Sequence, residues 1–261
     1  MSLIGEERKQ FILQRLNESG KVRTMDLVDK LEVSSETIRR YLEELENEKK
    51  LKRVYGGAVK GNDGKEEPSI YTREILHAEE KKQIGKAAAS LIQSNEIIAI
   101  DDGTTTIQLV HYLMEKENIT VITASFPVLS LLLQYENQGL FSGEIFFIGG
   151  KVNSRYSRTS GSLAEKMMEN FNVDKAFIAI DGISLERGIT SYDVERAMLS
   201  RKFMEQATQT IVMFDGSKIG ASNFYKLAGL EDADVLISNL PVPVEWEGEI
   251  RQAGIEWLAA D

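Results

Sequence analysis

Hydrophobic positions recur with a helical period in the first part of the chain and in short strand-like runs after it. Residues 6–18 predict one helix, and residues 25–31 predict a second, shorter helix. A third helix follows after a tight break, with Ile38, Leu42 and Leu45 at positions i, i+4 and i+7 of one face. Two short helices at this spacing predict a helix-turn-helix.

A Gly-Gly pair follows the third predicted helix. Gly56 and Gly57 stand between the strand-like residues 52–55 and 58–59, which predicts a hairpin and hence a winged helix-turn-helix. Residues 61–68 then include Gly, Asn, Asp and Pro, which favour turns, and show no apolar periodicity. We therefore expect a winged helix-turn-helix domain at residues 1–60, a linker at 61–69 and a second domain at 70–261.

The second domain alternates between helical patterns and short apolar runs. Helices are predicted at residues 78–92, 105–116, 128–135, 163–171 and 194–207. Strands are predicted after them, at residues 97–100, 120–123, 144–148, 175–180 and 210–214, with later strands at 235–238 and 255–258. Apolar strands interleaved with helices predict an α/β domain with a mainly parallel sheet.

Composition narrows the class of protein. A hydrophobic fraction of 42% and a charged fraction of 28% are typical of a globular protein. No apolar run approaches the length of a membrane span, and the N-terminus is unlike a secretory signal. The chain has no cysteine, which fits a reducing cytoplasm, so we expect a cytoplasmic protein without membrane contact. With no cysteine and only two histidines, far apart in sequence, it is expected to hold no metal. No cofactor is expected either.

The net charge of −10 is unevenly distributed along the chain. Residues 1–57 hold 12 Lys and Arg against 11 Asp and Glu, whereas the remainder holds 19 against 30. The acidity therefore belongs to the second domain, and local placement decides whether nucleic acid can bind. Basic residues gather in and just after the third predicted helix, at Arg39, Arg40, Lys49, Lys50, Lys52 and Arg53.

The third predicted helix begins with hydroxyl and arginine side chains. Hydroxyls reach phosphates or base edges, and arginine pairs with the acceptors of guanine. Ser34 is also a candidate N-cap, and the unpaired amides of a helix start bind phosphate. The candidate DNA-binding residues are Ser34, Ser35, Thr37, Arg39, Arg40 and Arg53. For Arg53 the sequence leaves a phosphate contact and a minor-groove contact open. The alternative for the arginine pair is surface pairing with the glutamates four residues on.

A second candidate site follows the predicted strand at 97–100. There Asp101 and Asp102 precede Gly103 and three threonines that open a helix. Backbone amides and threonine hydroxyls at a helix start suit a phosphate or a sugar hydroxyl, and open α/β sheets bind ligands at the carboxyl ends of strands. No GxxxxGK[ST] motif is present, so this is not a Walker A loop. A threonine-rich helix cap is the alternative.

These motifs together resemble the DeoR family of bacterial transcriptional regulators. The N-terminal resemblance rests on Arg8, Ile12, Leu16, Gly20, Val22, Leu27, Val33, Ser34, Thr37, Ile38, Arg39, Arg40, Leu42, Leu45, Arg53, Gly56, Gly57 and Ala58. Tyr41 stands where the family usually has Asp. The C-terminal resemblance rests on Glu80, Lys81, Asp102, Gly103, Thr104, Thr105, Gly149, Gly150, Gly161, Asp181, Gly182, Ile183, Gly188, Thr190, Glu195, Ser217, Lys218 and Gly220.

The resemblance implies a C-terminal domain with the fold of sugar-phosphate isomerases that senses a phosphorylated sugar. It implies that the phosphate meets residues 103–106, that Lys81 or Lys218 supplies positive charge, and that Asp181 and Glu195 face the sugar. The implied effector-binding residues are Lys81, Asp102, Gly103, Thr104, Thr105, Thr106, Gly149, Gly150, Asp181, Glu195 and Lys218. Turn formation is the alternative role for the glycines, and surface pairing is the alternative for Lys81.

The expected function is therefore DNA-binding regulation, with repression favoured, of a carbohydrate-metabolism operon. Operator DNA, a phosphorylated sugar effector and further copies of the chain are the expected partners. No enzymatic activity is expected, because the resemblance supplies only part of an acid–base set. The alternative is an active sugar-phosphate isomerase or deaminase that carries a DNA-binding module. A third possibility is a scaffold recruited by protein contacts alone.

Overall fold

The chain divides into two compact units, Met1–Leu76 and His77–Asp261. The computed structural model describes residues 3–19, 21–48, 50–60 and 70–260. The linker predicted at 61–69 lies outside the described residues. The helix at Ile70–Ile75 is grouped with the N-terminal unit.

The N-terminal unit combines helices with a small antiparallel sheet. Its described elements are α1 (Leu3–Ser19), β1 (Lys21–Arg23), α2 (Thr24–Leu31), α3 (Ser35–Asn47), β2 (Leu51–Val54), β3 (Gly57–Lys60) and α4 (Ile70–Ile75). The strands lie in the order β1-β3-β2. Ile38, Leu42 and Leu45 of α3 are buried with Leu27 of α2 in one core, as the period predicts. The predicted winged helix-turn-helix is confirmed.

The wing turn differs from the prediction by one residue. Gly57 is the first residue of β3, and the turn between β2 and β3 is Tyr55-Gly56. Gly56 has φ +79, which favours glycine. A Cβ on Gly57 would lie 2.0 Å from the carbonyl oxygen of Val22, because β1 pairs closely beside it. The strand β1, which has only three residues, was not predicted.

The C-terminal unit is an α/β domain. Its helices are α5 (Ala78–Ser90), α6 (Ile107–Val110), α7 (Phe126–Asn137), α8 (Ser162–Met168), α9 (Val194–Glu205) and α10 (Glu247–Gln252). Its strands are β4 (Ile97–Ile100), β5 (Thr120–Thr123), β6 (Glu144–Phe147), β7 (Lys151–Asn153), β8 (Arg158–Ser160), β9 (Val173–Ala179), β10 (Gly182–Ser184), β11 (Gly188–Ser191), β12 (Ala207–Met213), β13 (Tyr225–Ala228), β14 (Val235–Ser238) and β15 (Glu256–Ala259).

Seven of these strands form one parallel sheet in the order β15-β14-β12-β9-β4-β5-β6. Side chains alternate between its two faces, so that Ile98 and Ile100 pack with α5, α6 and α7 while Ala99 packs with α8 and α9. Both faces are therefore covered by helices, which explains the unbroken apolar runs of the strands. The predicted α/β domain with a mainly parallel sheet is confirmed.

Two parts of this unit depart from the predicted elements. The helix expected at 105–116 is only α6 and a 3₁₀ turn at Leu113–Glu115. The hairpin β7–β8 and the antiparallel sheet β10-β11-β13 were not predicted. Their strands are only three or four residues long, and the sequence of β8 is Arg-Thr-Ser. Such segments have no apolar alternation from which a strand could be predicted.

The strand order reverses beside β4. From β4 the chain moves outward to β5 and β6 on one side, and β9 then returns to pair with β4 on the other side. Such a switch point opens a crevice at the carboxyl ends of the two strands. The residues that follow β4 and β9 are Asp101 and Ile180-Asp181, so both predicted acidic motifs flank this crevice.

Candidate functional site

The start of α3 is capped as the sequence predicts. Ser34 is the N-cap, and its Oγ accepts a hydrogen bond from the amide of Thr37 at 3.2 Å. The two hydroxyl oxygens of Ser34 and Thr37 lie 3.0 Å apart. Ser35 is exposed beside them. The cap orders the first turn of α3 and holds these hydroxyls together at its solvent-facing end.

The two arginines of α3 point away from the core. Arg39 and Arg40 are both exposed. Nε of Arg40 lies 3.9 Å from Oε1 of Glu44, at the outer limit of an ion pair, while Glu44 also lies 3.0 Å from Nζ of Lys9. Arg39 forms no ion pair with the residues that the structure describes. The predicted surface pairing therefore holds weakly for Arg40 and leaves the guanidinium groups accessible.

Tyr41, the departure from the family pattern, faces inward. Its side chain is 7% exposed and belongs to the core with Ile38 and Leu45. The guanidinium carbon of Arg40 lies 5.7 Å from the centroid of its ring. Position 41 therefore contributes to packing beneath the arginines.

The wing is tied to α3 through Arg53. The amide of Arg53 donates to Oε1 of Glu46 at 2.7 Å, and Nη1 of its side chain lies 4.0 Å from Glu43. These contacts bring the Arg53 side chain beside the polar face of α3. Tyr55, in the wing turn, is fully exposed.

In the C-terminal unit, a buried ion network occupies the base of the crevice. Arg196, in the first turn of α9, is 1% exposed. Its Nε donates to Asp102 at 3.2 Å, its Nη1 donates to Asp181 at 2.8 Å, and its Nη2 donates to the carbonyl of Asp102 at 3.2 Å. Arg196 thereby links the loop after β4 to the residues after β9. Asp193 caps the same helix by accepting from the Arg196 amide at 2.7 Å.

A second buried arginine joins this network from the hairpin β7–β8. Arg158 is 1% exposed, and its Nη1 donates to Oδ2 of Asp102 at 2.9 Å. Its Nη2 lies 3.5 Å from Asp193. Asp102 therefore has one carboxylate oxygen on each arginine. This arrangement fixes Asp102 between two cations and makes it a positioning residue for the loop that it starts.

Asp101 has a different environment from its neighbour. Its side chain is buried, and burial raises the pKa of its carboxyl to about 7, although the Arg196 charge acts against that rise. Ser200 donates to it at 3.0 Å. The network thus holds four carboxyls, including those of Asp181 and Asp193, for two arginines. A protonated Asp101 brings its charges closer to balance.

The threonine loop, residues 103–106, lies above this network. Oγ1 of Thr106 donates to the carbonyl of Asp101 at 2.8 Å, which sets the turn. A Cβ on Gly103 would lie 2.4 Å from the Cβ of Ala179, so only glycine fits between β4 and β9 there. Within the described part of the chain, the amides of Gly103, Thr105 and Thr106 have no hydrogen-bond acceptor. They remain available as donors.

Two lysines lie at the same edge of the sheet. Lys81 is 4% exposed and lies in the first turn of α5, which leads into β4 and so starts at the carboxyl edge. Lys218 follows β12 in a 3₁₀ turn. Burial pushes the pKa of Asp215 upward, but the charges of Lys218 and Lys81 and a hydrogen bond from Ser217 leave it lowered. Both lysines are therefore close to one carboxylate, which balances part of their charge.

The remaining predicted residues lie around the hairpin β7–β8. Glu195 accepts from Lys151 at 2.8 Å and from Ser160 at 3.0 Å, and the lysine lowers the pKa of its carboxyl. Gly149 and Gly150 precede β7. A Cβ on Gly150 would lie 2.7 Å from the Ser160 carbonyl, so this glycine serves the hairpin directly.

Sequence reasoning missed the two buried arginines, which hold the predicted residues in place. One signal was present for Arg196, because Arg196, Ser200 and Phe203 share the buried face of α9. A charged residue in a core position of a helix needs a buried partner. Arg158 had no such signal, since its strand is three residues long.

Within the described residues, no cluster of histidine or carboxylate side chains suits a metal ion, and no helix is both long and apolar enough to cross a bilayer.

Comparison with known proteins identifies both units. Residues 8–62 match the DeoR-like helix-turn-helix domain, and residues 76–239 match the DeoR C terminal sensor domain. The HTH-type transcriptional repressor GlcR of Bacillus subtilis (strain 168) is 35% identical over 234 residues, which cover 90% of this chain and 88% of that protein. The HTH-type transcriptional regulator GlpR of Haloferax volcanii is 28% identical over 253 residues, or 97% of each chain.

Among solved structures, ribose 5-phosphate isomerase A from Methanocaldococcus jannaschii matches with a TM-score of 0.40 at 17% identity, covering 55% of each chain. The two domain matches and the full-length relatives are those of one family. This chain belongs to the DeoR family of transcriptional regulators, with a DeoR-like helix-turn-helix domain followed by a DeoR C-terminal sensor domain.

Proposed function

We propose that this protein represses a carbohydrate-metabolism operon by binding operator DNA through α3 and the wing, and that a phosphorylated sugar in the sensor domain controls that binding. The DNA contacts are assigned to Ser34, Ser35, Thr37, Arg39, Arg40 and Arg53. Arg39 and Arg40 support this role because they are exposed and at most weakly paired, so their donors can meet guanine or phosphate.

One observation carries the effector proposal. At the crevice between β4 and β9, three free amides of the threonine loop and the side chains of Thr104 and Thr105 share the carboxyl edge of the sheet with Lys81 and Lys218. Amide and hydroxyl donors with nearby ammonium groups suit a phosphate dianion. Asp181 and Glu195 lie at the same edge and supply acceptors for sugar hydroxyls.

The ion network favours binding without turnover. An isomerase needs a carboxylate that is free to take a proton. Oδ2 of Asp181 already accepts from Ser191 at 3.0 Å, from the Tyr192 amide at 3.2 Å and from Arg196 at 2.8 Å. Oδ2 of Asp181 is therefore already engaged by three donors. The competing function, an active sugar-phosphate isomerase or deaminase, predicts conversion of the bound sugar, which a coupled assay on a panel of sugar phosphates measures.

Thermal-shift screening against phosphorylated sugars tests the effector proposal. A ligand at 100 times its Kd adds about 2.7 kcal/mol to the stability of the folded state. Thr105→Trp and Lys218→Ala should remove the shift and the release of operator DNA, while ligand-free DNA binding stays close to wild type. The control is Lys226→Ala, since Lys226 is exposed on β13. Variants at 105 and 218 that respond fully to the effector would exclude this crevice.

We further propose that the protein acts as a homo-oligomer, because paired operator half-sites mirror protein symmetry. Effector and operator binding are then coupled by about 1–3 kcal/mol. Linkage requires the operator to weaken effector binding by the same factor that the effector weakens operator binding. Calorimetric titration of the effector into free and operator-bound protein measures both the coupling and the stoichiometry. Equal affinities in the two titrations would exclude regulation of DNA affinity.

A further inference from the structure

One edge of the seven-stranded sheet is open. The strand β6 stands last in the order, and among the residues that the structure describes it pairs with β5 alone. The amides of Glu144 and Ile148 donate to carbonyls in and just before β5, at 2.8–3.2 Å. Because the direction of the backbone groups alternates along a strand, those of Ile145 and Phe147 point away from β5. The outer side of β6 therefore presents backbone donors and acceptors for another strand.

Exposed apolar side chains flank β6 on the face of the sheet that carries α8. Phe146, in the middle of β6, is 40% exposed, and the centroid of its ring lies 5.5 Å from that of Phe171. Glu169 pairs with a lysine of α9, which packs on β9 and β12, so this side of α8 faces away from β6. Met167 lies nearly opposite Glu169 on the helix, with Leu163 one turn before it. Both therefore face β6, and they are 37% and 72% exposed.

The face of the sheet that carries α7 has the same character. Tyr135 of α7 contacts His111 at the end of α6, so this side of α7 faces α6 and the middle of the sheet. Leu133, two residues earlier, lies nearly opposite and faces the side of β6. It is 42% exposed. We refer to β6 with Leu133, Leu163 and Met167 as the β6 edge.

The apolar area of the β6 edge approaches what a stable dimer buries. Its exposed side chains present about 400 Å² in total, taking about 200 Å² for a fully exposed large residue. Apolar atoms make up about 56–65% of protein interfaces, so this area corresponds to about 600–700 Å² for each copy. Standard interfaces bury about 800 Å² on each partner, and the strand backbone adds to the total.

The opposite edge strand, β15, is protected. Trp257 packs against Trp246, and its Nε1 donates to the carbonyl of Leu240 at 3.0 Å, so the segment after β14 covers part of this edge. Covering segments and charged side chains are the devices that keep sheet edges from pairing. On β6, only Glu144 at the start of the strand is charged, and the three residues after it are apolar. The β6 edge is thus the one suited to pairing.

We propose that two copies of the chain pair through the β6 edge, antiparallel and about a two-fold axis beside Phe146. This pairing presupposes the homo-oligomer proposed above and assigns its surface. The outward groups of Ile145 and Phe147 are symmetric about Phe146, so a second copy satisfies them: Ile145 bonds to the partner's Phe147, and Phe147 to the partner's Ile145. Phe146 then faces the partner's Phe146 in the narrow position between these bonds, where aromatic pairs stabilise a sheet.

Disulfide trapping tests this arrangement directly, because the chain has no cysteine. Phe146→Cys places two thiols opposite each other, with Cα atoms about 4.5 Å apart, which is within the range of a disulfide. Mild oxidation of the full-length variant should convert most chains to a covalent dimer. Phe224→Cys is the matched control, since Phe224 is 83% exposed but lies outside the β6 edge. Equal cross-linking of the two variants would overturn the proposal.

Opposite charges at position 146 give a second test. Phe146→Lys and Phe146→Asp each place like charges against each other, so either variant alone should show half the wild-type mass in light scattering. An equimolar mixture should recover the full mass, because opposite charges then meet. Urea denaturation checks that both variants are folded. Folded variants that keep the wild-type mass, or a mixture that stays dissociated, would overturn pairing at Phe146.

The two proposals fail separately. A monomeric wild-type protein would refute the homo-oligomer itself. An oligomeric wild type, with Phe146→Cys no more cross-linked than the control, would refute the β6 edge alone. Operator binding by the wild type, measured in parallel, reports on DNA recognition independently of both.

Discussion

Arginine occurs in two contrasting environments in the two units of this protein. Arg39 and Arg40 on α3 are exposed, with one long ion pair between them and the described residues. Arg158 and Arg196 in the sensor domain are 1% exposed and bind four carboxyl groups and backbone carbonyls. The exposed pair keeps its donors for an external ligand, whereas the buried pair uses its donors to join strands that are far apart in sequence. The same side chain thus serves architecture in one unit, whereas in the other it is exposed for the DNA recognition that we propose.

Loss of a buried arginine should have the largest effect. Arg196→Ala leaves Asp181 buried without its arginine and Asp102 with only one of its two, which costs about 3–5 kcal/mol of unfolding free energy. Urea denaturation of the sensor domain measures this. Arg39→Ala is the matched control, and it should change stability by no more than about 0.5 kcal/mol. If the Arg196→Ala protein were as stable as the Arg39→Ala protein, the buried arginine would not stabilise the fold more than the exposed one.

Loss of an exposed arginine should show the reverse pattern. Arg39→Ala or Arg40→Ala should weaken operator binding by about 1–3 kcal/mol where the side chain reads a base, with the urea midpoint unchanged. A phosphate contact would instead weaken binding to all DNA sequences and lower the salt slope by about one. Mobility-shift titrations on operator and unrelated DNA separate these roles. Full operator affinity in the Arg39/Arg40 double variant would refute recognition by α3.

The buried network should also make stability depend on pH. The usual pKa of Asp101 is 3.8, and burial raises it to about 7 in the folded state. Between these values the unfolded chain has lost a proton that the folded protein keeps, so stability falls as pH rises. The slope from this group is at most about 1.4 kcal/mol per pH unit. Asp101→Asn should flatten it, as denaturation at several pH values will measure. An unchanged slope in that variant would mean that Asp101 is ionised in the fold.

Loss of the Ser34 cap of α3 should have the smallest effect on stability. Variants at Ser34 also separate its role in folding from a role in DNA recognition. Ser34→Ala should cost about 1 kcal/mol of stability in the N-terminal unit, whereas Ser34→Gly should cost only a few tenths. Both remove the hydroxyl, so equal losses of operator affinity would assign it a DNA contact. Ser35→Ala controls for the neighbouring hydroxyl. If the glycine variant binds operator as wild type does, Ser34 acts through the helix alone.

Sequence periodicity predicted the elements that pack on one face. The period of Ile38, Leu42 and Leu45 located α3, and the predicted strands at 97–100, 120–123 and 235–238 match β4, β5 and β14 to the residue. Those segments succeed because burial alone dictates their residue types. The acidic and threonine residues after β4 could also be placed at a strand end.

The contacts inside the crevice could not be predicted in the same way. Arg158 and Arg196 interact with Asp102 across 56 and 94 residues of chain, and local patterns carry no information about such pairing. Sequence reasoning treated Asp102 as a ligand contact, whereas both of its carboxylate oxygens meet arginines. The short polar strands of the hairpin β7–β8 escaped prediction because their tertiary contacts, and not their propensity, hold them in place.

The separation of 94 residues between Asp102 and Arg196 also affects how the protein is made. The hydrophobic core of the winged helix-turn-helix is built from residues between 11 and 58, so it is complete early in synthesis. The ion network of the sensor crevice is complete only after α9 has emerged, since Arg196 lies on that helix. Domains fold as units from the N-terminus during translation, at about 5–20 residues per second. Proteolysis of stalled nascent chains would reveal the order. A ribosome-bound intermediate would therefore be able to hold DNA before it can respond to any metabolite.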